Sequence, residues 1–183
     1  NSKTTGAVTA TISAGDISSL ASLNGDNDQA FTITVTDTSV SASDVITLEA
    51  KTGTSLNLEA ATLITGTAAQ LESIYTHSDN SRLSVNGSVN LTVSDDTVSI
   101  TDINNLSSKT SGTVTATIAS GNFATLSALT ETSNAYALTV TDSVSVADFN
   151  TLAGKTTGVI TATISTTDAT TLATLSGTGH ALT

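Results

Sequence analysis

The 183 residues carry 16 acidic against 5 basic side chains, a formal net charge of -11. That balance excludes a nucleic-acid partner, whose phosphates need a basic face, and no basic run offers anchorage to an anionic membrane. With 38% hydrophobic and only 11% charged residues the chain is too apolar to stay disordered, and the absence of cysteine excludes disulfides and thiolate metal sites.

The chain opens on a phrase, KTTGAVTATI from Lys3, that returns in degraded form at Lys51, as KTSGTVTATI at Lys109 and as KTTGVITATI at Lys155. The period is about 46 to 48 residues with an insertion in the second copy, which marks a repeat array rather than a set of unrelated domains. We read it as a single array over 1–183, with repeats approximately 3–50, 51–108, 109–154 and an incomplete 155–183. Within each period a shorter module recurs, anchored at Asp16, Asp44, Ala68, Asp102, Asn122, Asp148 and Asp168.

Each module begins with a strand. Val8, Ala10 and Ile12 alternate with Thr9 and Thr11, and the pattern returns at Val114, Ala116, Ile118 and at Ile160, Ala162, Ile164. A period of two predicts one buried and one wet face. Larger residues take the same places in the alternate modules, at Phe31, Ile33, Val35, then Val89, Leu91, Val93, then Tyr136, Leu138, Val140.

A helix-start signal follows, Ser13 to Asp16, Ser41 to Asp44, Ser99 to Asp102, Ser145 to Asp148 and Ser165 to Asp168. The hydroxyl accepts from an orphan amide and the carboxylate favours the positive end of the turn. Apolar residues three apart come next, as at Val45 and Leu48 or Phe149 and Leu152, which predicts a short helical turn against the sheet. Lys3, Lys51, Lys109 and Lys155, with Gly6, Gly53, Gly112 and Gly158 beyond them, read as helix stops, and the lysines are expected to pair with repeat carboxylates. The fold expected is therefore mainly β, a solenoid of parallel strands with a short helical turn per coil; tandem immunoglobulin-like sandwiches are the alternative.

The first and last repeats are out of phase with the period. Aligning Ala181, Leu182 and Thr183 on Ala137, Leu138 and Thr139 leaves the last strand short, so either continuation of the same array or self-association of open ends is expected.

Few residues carry chemistry. His77 and His180 stand in unrelated places and read as exposed loop histidines; no set of side chains reads as catalytic or cofactor-binding, so the chain is not expected to be an enzyme. No cofactor is expected, calcium excepted. The candidate calcium ligands are Asp26, Asp28, Asp37, Asp95, Asp96 and Asp142, of which Asp37, Asp95 and Asp142 share one repeat position. The threonine pairs Thr9/Thr11, Thr34/Thr36, Thr115/Thr117, Thr139/Thr141 and Thr161/Thr163 offer a hydroxyl and methyl grid of the kind an ice surface would meet, and Asn86, Asn90 and Asn105 begin glycosylation sequons.

The phrases TGTAAQLESIY at Thr65 to Tyr75, VTDSVSVADFNTLAGKTTG at Val140 to Gly158, and KTTGVITATI resemble the tandem repeats of very large cell-surface and secreted proteins of cyanobacteria and other marine bacteria. That resemblance implies an acidic extracellular structural segment of a surface fibre, filament, surface layer (S-layer) or adhesin. A calcium- or carbohydrate-binding surface module is the alternative, and an ice-binding array a lesser one. The insertion at Ser55 to Ala60 and the stretch Thr76 to Asn86 depart from the pattern.

Overall fold

The computed structural model describes residues 6, 8–24 and 28–183. They form two compact bodies, one of residues 1–94 with 109–112 and one of 95–108 with 113–183.

The first body runs β1 (Thr9–Thr11), α1 (Ile17–Leu20), β2 (Ala30–Thr34), β3 (Ser39–Ser41), α2 (Ala42–Glu49), β4 (Leu56–Leu58), β5 (Leu63–Gly66), α3 (Ala68–Asp79), β6 (Leu83–Val85) and β7 (Asn90–Val93). Its strands make a four-stranded sheet ordered β1-β2-β4-β6 and a second row ordered β3-β5-β7, with every pairing parallel. The second body runs α4 (Ile100–Ser107), β8 (Val114–Thr117), α5 (Phe123–Leu126), β9 (Ala135–Val144), α6 (Val146–Ala153), β10 (Ile160–Ile164), α7 (Ala169–Leu172) and β11 (Ala181–Leu182). Its strands are ordered β8-β9-β10-β11, again parallel throughout.

This corrects the fold class. The protein is α/β, neither a mainly-β solenoid nor a sandwich array, and the filament reading attached to the solenoid goes with it. A parallel pair needs a crossover between its strands, and here the crossovers are α-helices of four, eight and twelve residues. An immunoglobulin-like sandwich is built from antiparallel sheets, and none of the strand pairings in either body is antiparallel.

The buried faces follow the period-two pattern. Phe31, Ile33 and Val35 are buried while Thr32 is exposed, and in the second body Tyr136, Leu138 and Val140 alternate with exposed Ala137 and Thr139. Helix residues complete the core: Val45, Leu48, Ile103, Leu106, Phe149 and Leu152 are all buried. Each such side chain contributes about 1.5–3 kcal/mol of burial.

Helix caps divide the modules into two classes. The eight-residue helices start at Ser41, Ser99 and Ser145, whose hydroxyls accept from the amides of Asp44, Asp102 and Asp148 at 3.1, 3.2 and 3.1 Å. The four-residue helices start at the acid or amide itself. Asp16, Asn122 and Asp168 are their N-caps, so Ser13 and Ser165 are not. α3 starts at Thr67, which forms a capping box with Gln70; Ala68, the expected anchor of that module, is only the first helical position.

The repeat glycines also take a different role. The helices that precede them end on right-handed C-cap residues, Ala50, Ser108 and Gly154, and only Gly177 and Gly179 among the described glycines have positive φ. Gly112 and Gly158 instead sit against the neighbouring strand, where a Cβ would come within 2.3 Å of the Val89 and Tyr136 carbonyl oxygens respectively. Their lack of a side chain permits that approach.

Candidate functional site

One contact that recurs from repeat to repeat is made by the threonine of the Lys-Thr-x-Gly phrase. The Thr156 hydroxyl accepts from the Tyr136 amide at 2.8 Å and donates to the Tyr136 carbonyl at 2.8 Å, while accepting from the Gly158 amide at 2.9 Å. Thr52 does the same with Phe31, at 2.9 Å from its amide and 2.8 Å to its carbonyl. Thr110 donates to the Val89 carbonyl at 2.6 Å and accepts from Gly112. One side chain thus satisfies both main-chain groups of a strand residue 20 or 21 positions earlier, a local substitute for a missing ladder bond.

A second contact recurs one position before these strands. The amides of Val8, Val114 and Ile160 donate to Gln29 Oε1, Asn134 Oδ1 and His180 Nδ1, at 2.8, 2.7 and 3.1 Å. His180 therefore occupies a repeat position and is half-buried, its ring edge-on to Phe149 with centroids 5.3 Å apart. An accepting Nδ1 requires the tautomer protonated at Nε2. This register also corrects the end alignment: Thr161 pairs with Ala181 as Thr115 pairs with Ala135, so Leu182 stands where Tyr136 does.

His77 is likewise no loop residue. It lies in the last turn of α3, with Nδ1 3.6 Å from the Oε2 of buried Glu49. The Arg82 guanidinium reaches the same carboxylate and the Thr52 carbonyl, at 3.0 Å for the latter. Glu49, His77 and Arg82 pin the end of α2 to the turn that follows α3. Ser81 in that turn adopts φ 59, the left-handed region.

The calcium candidates are placed as follows. Asp26 lies outside the described residues. Asp37 Oδ2 accepts from the Ile17 amide at 2.7 Å and Asp142 Oδ1 from the Phe123 amide at 3.1 Å, so each caps the first turn of a neighbouring short helix. Asp28 and Asp95 also have interaction partners, and exposed Asp96 follows Asp95 directly. Among the described residues no group of three or more acidic or imidazole side chains is close enough to hold a metal ion. Lys155 does not pair with a carboxylate as expected: its Nζ donates to the Leu129 carbonyl at 2.7 Å, three residues past the end of α5.

The threonine rows are present in the second body but mixed. Thr139 faces Thr161 across β9 and β10, whereas Thr117 faces Ala137 and Thr161 faces Ala181. Burial pushes the Tyr75 phenol up to about 12 and raises that of Tyr136, as expected of core aromatics.

One face stands out by exposure. Leu172 and Leu182 are 40% and 37% exposed, although Leu126 and Tyr136, which hold the corresponding places one repeat earlier, are 0% and 1% exposed. With Ile164, Leu175 and Thr183 they line a groove of about 370 Å³.

The sequence pattern located β1, β2 and β7 to β11 and three of the seven helix caps, but not β3 to β6, of which β4 lies in the insertion at Ser55 to Ala60 and β6 in the divergent stretch Thr76 to Asn86. It missed the threonine contacts, although the signal was present in the invariable Thr after the repeat lysine. No helix among the described residues is long and apolar enough to cross a membrane. Comparison with family models, with curated proteins and with solved structures returns no match.

Proposed function

We propose that the chain is an extracellular structural repeat segment of a bacterial surface layer or adhesin, in which the repeats exist to hold one another. The observation that carries this reading is that the Lys-Thr-x-Gly threonine of each of three successive repeats bonds the strand of the repeat before it, Thr52 to Phe31, Thr110 to Val89 and Thr156 to Tyr136. Of the side chains that elsewhere supply ligands, Asp37 and Asp142 bond the first amides of short helices and Lys155 bonds the Leu129 carbonyl of the repeat before it. An acidic surface with little aromatic area suits a segment that keeps its repeats soluble and apart from other macromolecules. Antibody labelling of intact cells that make the protein tests the reading. Labelling equal before and after permeabilisation is expected; labelling only after permeabilisation would overturn it.

A further inference from the structure

We infer that Asn86 is a self-modification site: its side-chain amide is lost through a cyclic imide with the Gly87 nitrogen, and the product loosens the turn that receives the next repeat's Lys-Thr-x-Gly phrase. Water is the only co-reactant, so the chemistry holds wherever the chain resides.

Asn86 follows β6 and opens a tight turn, closed by the Val89 amide donating to the Asn86 carbonyl at 3.1 Å. Its Oδ1 accepts from the Ser88 amide at 3.0 Å and from the Ser88 hydroxyl at 2.9 Å. Two donors on one amide oxygen draw electron density from Cγ, and they are already in place for the negative charge that oxygen takes up when a nucleophile adds. The nucleophile stands next in the chain. Gly87 is exposed, its amide has no acceptor among the described residues, and nothing lies within 4 Å of where a Cβ would be.

Comparable asparagines lack one part of this arrangement. Asn57 Oδ1 accepts from the Glu59 amide at 2.9 Å in the same manner, but the residue between them is Leu58, buried in β4. Asn80 is exposed, yet the amide that follows it, of Ser81, is held by the Ser78 carbonyl at 2.9 Å. A second Asn-Gly pair, Asn24-Gly25, lies partly outside the described residues.

The reaction is redox-neutral. Solvent base takes the Gly87 amide proton, the nitrogen adds to Asn86 Cγ, and the carbonyl electron pair moves onto Oδ1. As that pair returns, the bond from Cγ to Nδ2 breaks and Nδ2 leaves as ammonia with a proton from solvent. Water then opens the imide. Addition at Cγ gives aspartate, and addition at the main-chain carbonyl carbon gives isoaspartate, whose main chain runs through the side chain and is longer by a carbon. The Gly87 carbonyl accepts from the Ser111 amide at 2.9 Å and the Ser111 hydroxyl at 3.2 Å. Isoaspartate displaces that carbonyl, and either acid sets a negative charge beside it.

The test holds the full chain at mildly alkaline pH, cleaves it after Arg82 and Lys109, and reads the peptide Leu83 to Lys109 by mass spectrometry with fragmentation that tells isoaspartate from aspartate. Conversion at Asn86 should be first-order, faster as pH rises and comparable in rate with that of a free peptide Ser84 to Asn90, while Asn90, Asn104 and Asn105 stay intact. Gly87→Ala should slow it about tenfold, because the added methyl crowds the attacking nitrogen at a site where the fold has room for it. Asn86 unchanged while the free peptide converts, a sugar on its Nδ2, or an equal rate in Gly87→Ala would overturn the site. Hydrogen exchange at the Ser111 amide should rise on conversion, and unaltered exchange there would overturn the loosening.

Discussion

Thr52 and Thr156 are buried and each supplies one hydroxyl to two main-chain groups. Replacing Thr156 with valine keeps the shape but leaves the Tyr136 amide and carbonyl without that partner in the core. A loss of about 1–3 kcal/mol is expected from the denaturation midpoint, with Thr156→Ser losing less. Gly158→Ala should be comparably costly, about 1–3 kcal/mol, because the added carbon meets main chain that cannot move far. Gly87→Ala is the control, since nothing lies within 4 Å of its added carbon. The threonine was visible in the sequence four times over, yet its role was not. Its partner is 20 residues away, and local spacing says nothing about contacts made across a parallel sheet.

Asp16 shows what acid should do to a residue of this kind. Its carboxylate accepts from the Ser18 hydroxyl at 2.6 Å, and from the amide and hydroxyl of Ser19 at 2.8 Å each. Those bonds, the Ser18 one foremost, lower its pKa from 3.8 to about 2. A folded value below the unfolded one means that the stabilisation is present above about pH 4 and lost as pH falls through about 2. Carboxyl-carbon NMR should find that midpoint, and Ser18→Ala should raise it; a midpoint already near 3.8 in the unmodified chain would show the bonds to be absent in solution.

At the scale of elements, the longer helices were legible because their caps are local. Ser41, Ser99 and Ser145 cap in the way the Ser-x-x-Asp spacing predicts, and Ser145→Ala should cost about 1 kcal/mol in a denaturant titration. The same spacing misled at Ser13 and Ser165, where the aspartate is itself the cap and the helix lasts four residues. Helix length was the larger misjudgement. Three buried residues three apart, Val146, Phe149 and Leu152, hold an eight-residue helix against the sheet, although Phe149 and Leu152 alone look like a single turn in sequence. The Glu49, His77 and Arg82 group was not legible at all, since it joins the end of α2 to a turn beyond α3. Arg82→Ala removes the cation from a buried carboxylate and should cost about 2–4 kcal/mol, more than Glu49→Gln, which removes the charge that needs it.

For the molecule as a whole, the repeat period and the alternating strands were readable from the sequence, whereas the class was not. Threonine-rich strands suggested a protein made mostly of sheet. The segments that carry the chain between parallel neighbours turned out to contain α-helices; parallel pairing demands a crossover there but not its helical form. The register also moved: the strand-entry position reads Gln29, Asn134 and His180, three residues with little in common except an acceptor atom. That chemical equivalence placed Leu182 on Tyr136.

The central claim is that each repeat is completed by the one beside it, and it can be measured by lengthening the chain. Residues Leu138 to Gly158 are appended after Thr183, in the register that pairs Thr161 with Ala181, and native-state hydrogen exchange is followed amide by amide. The account predicts that protection at Leu172 and Leu182 rises to that of Leu126 and Tyr136 while the first body is unchanged. Unaltered exchange at both leucines, with the added residues exchanging as free peptide, would contradict it.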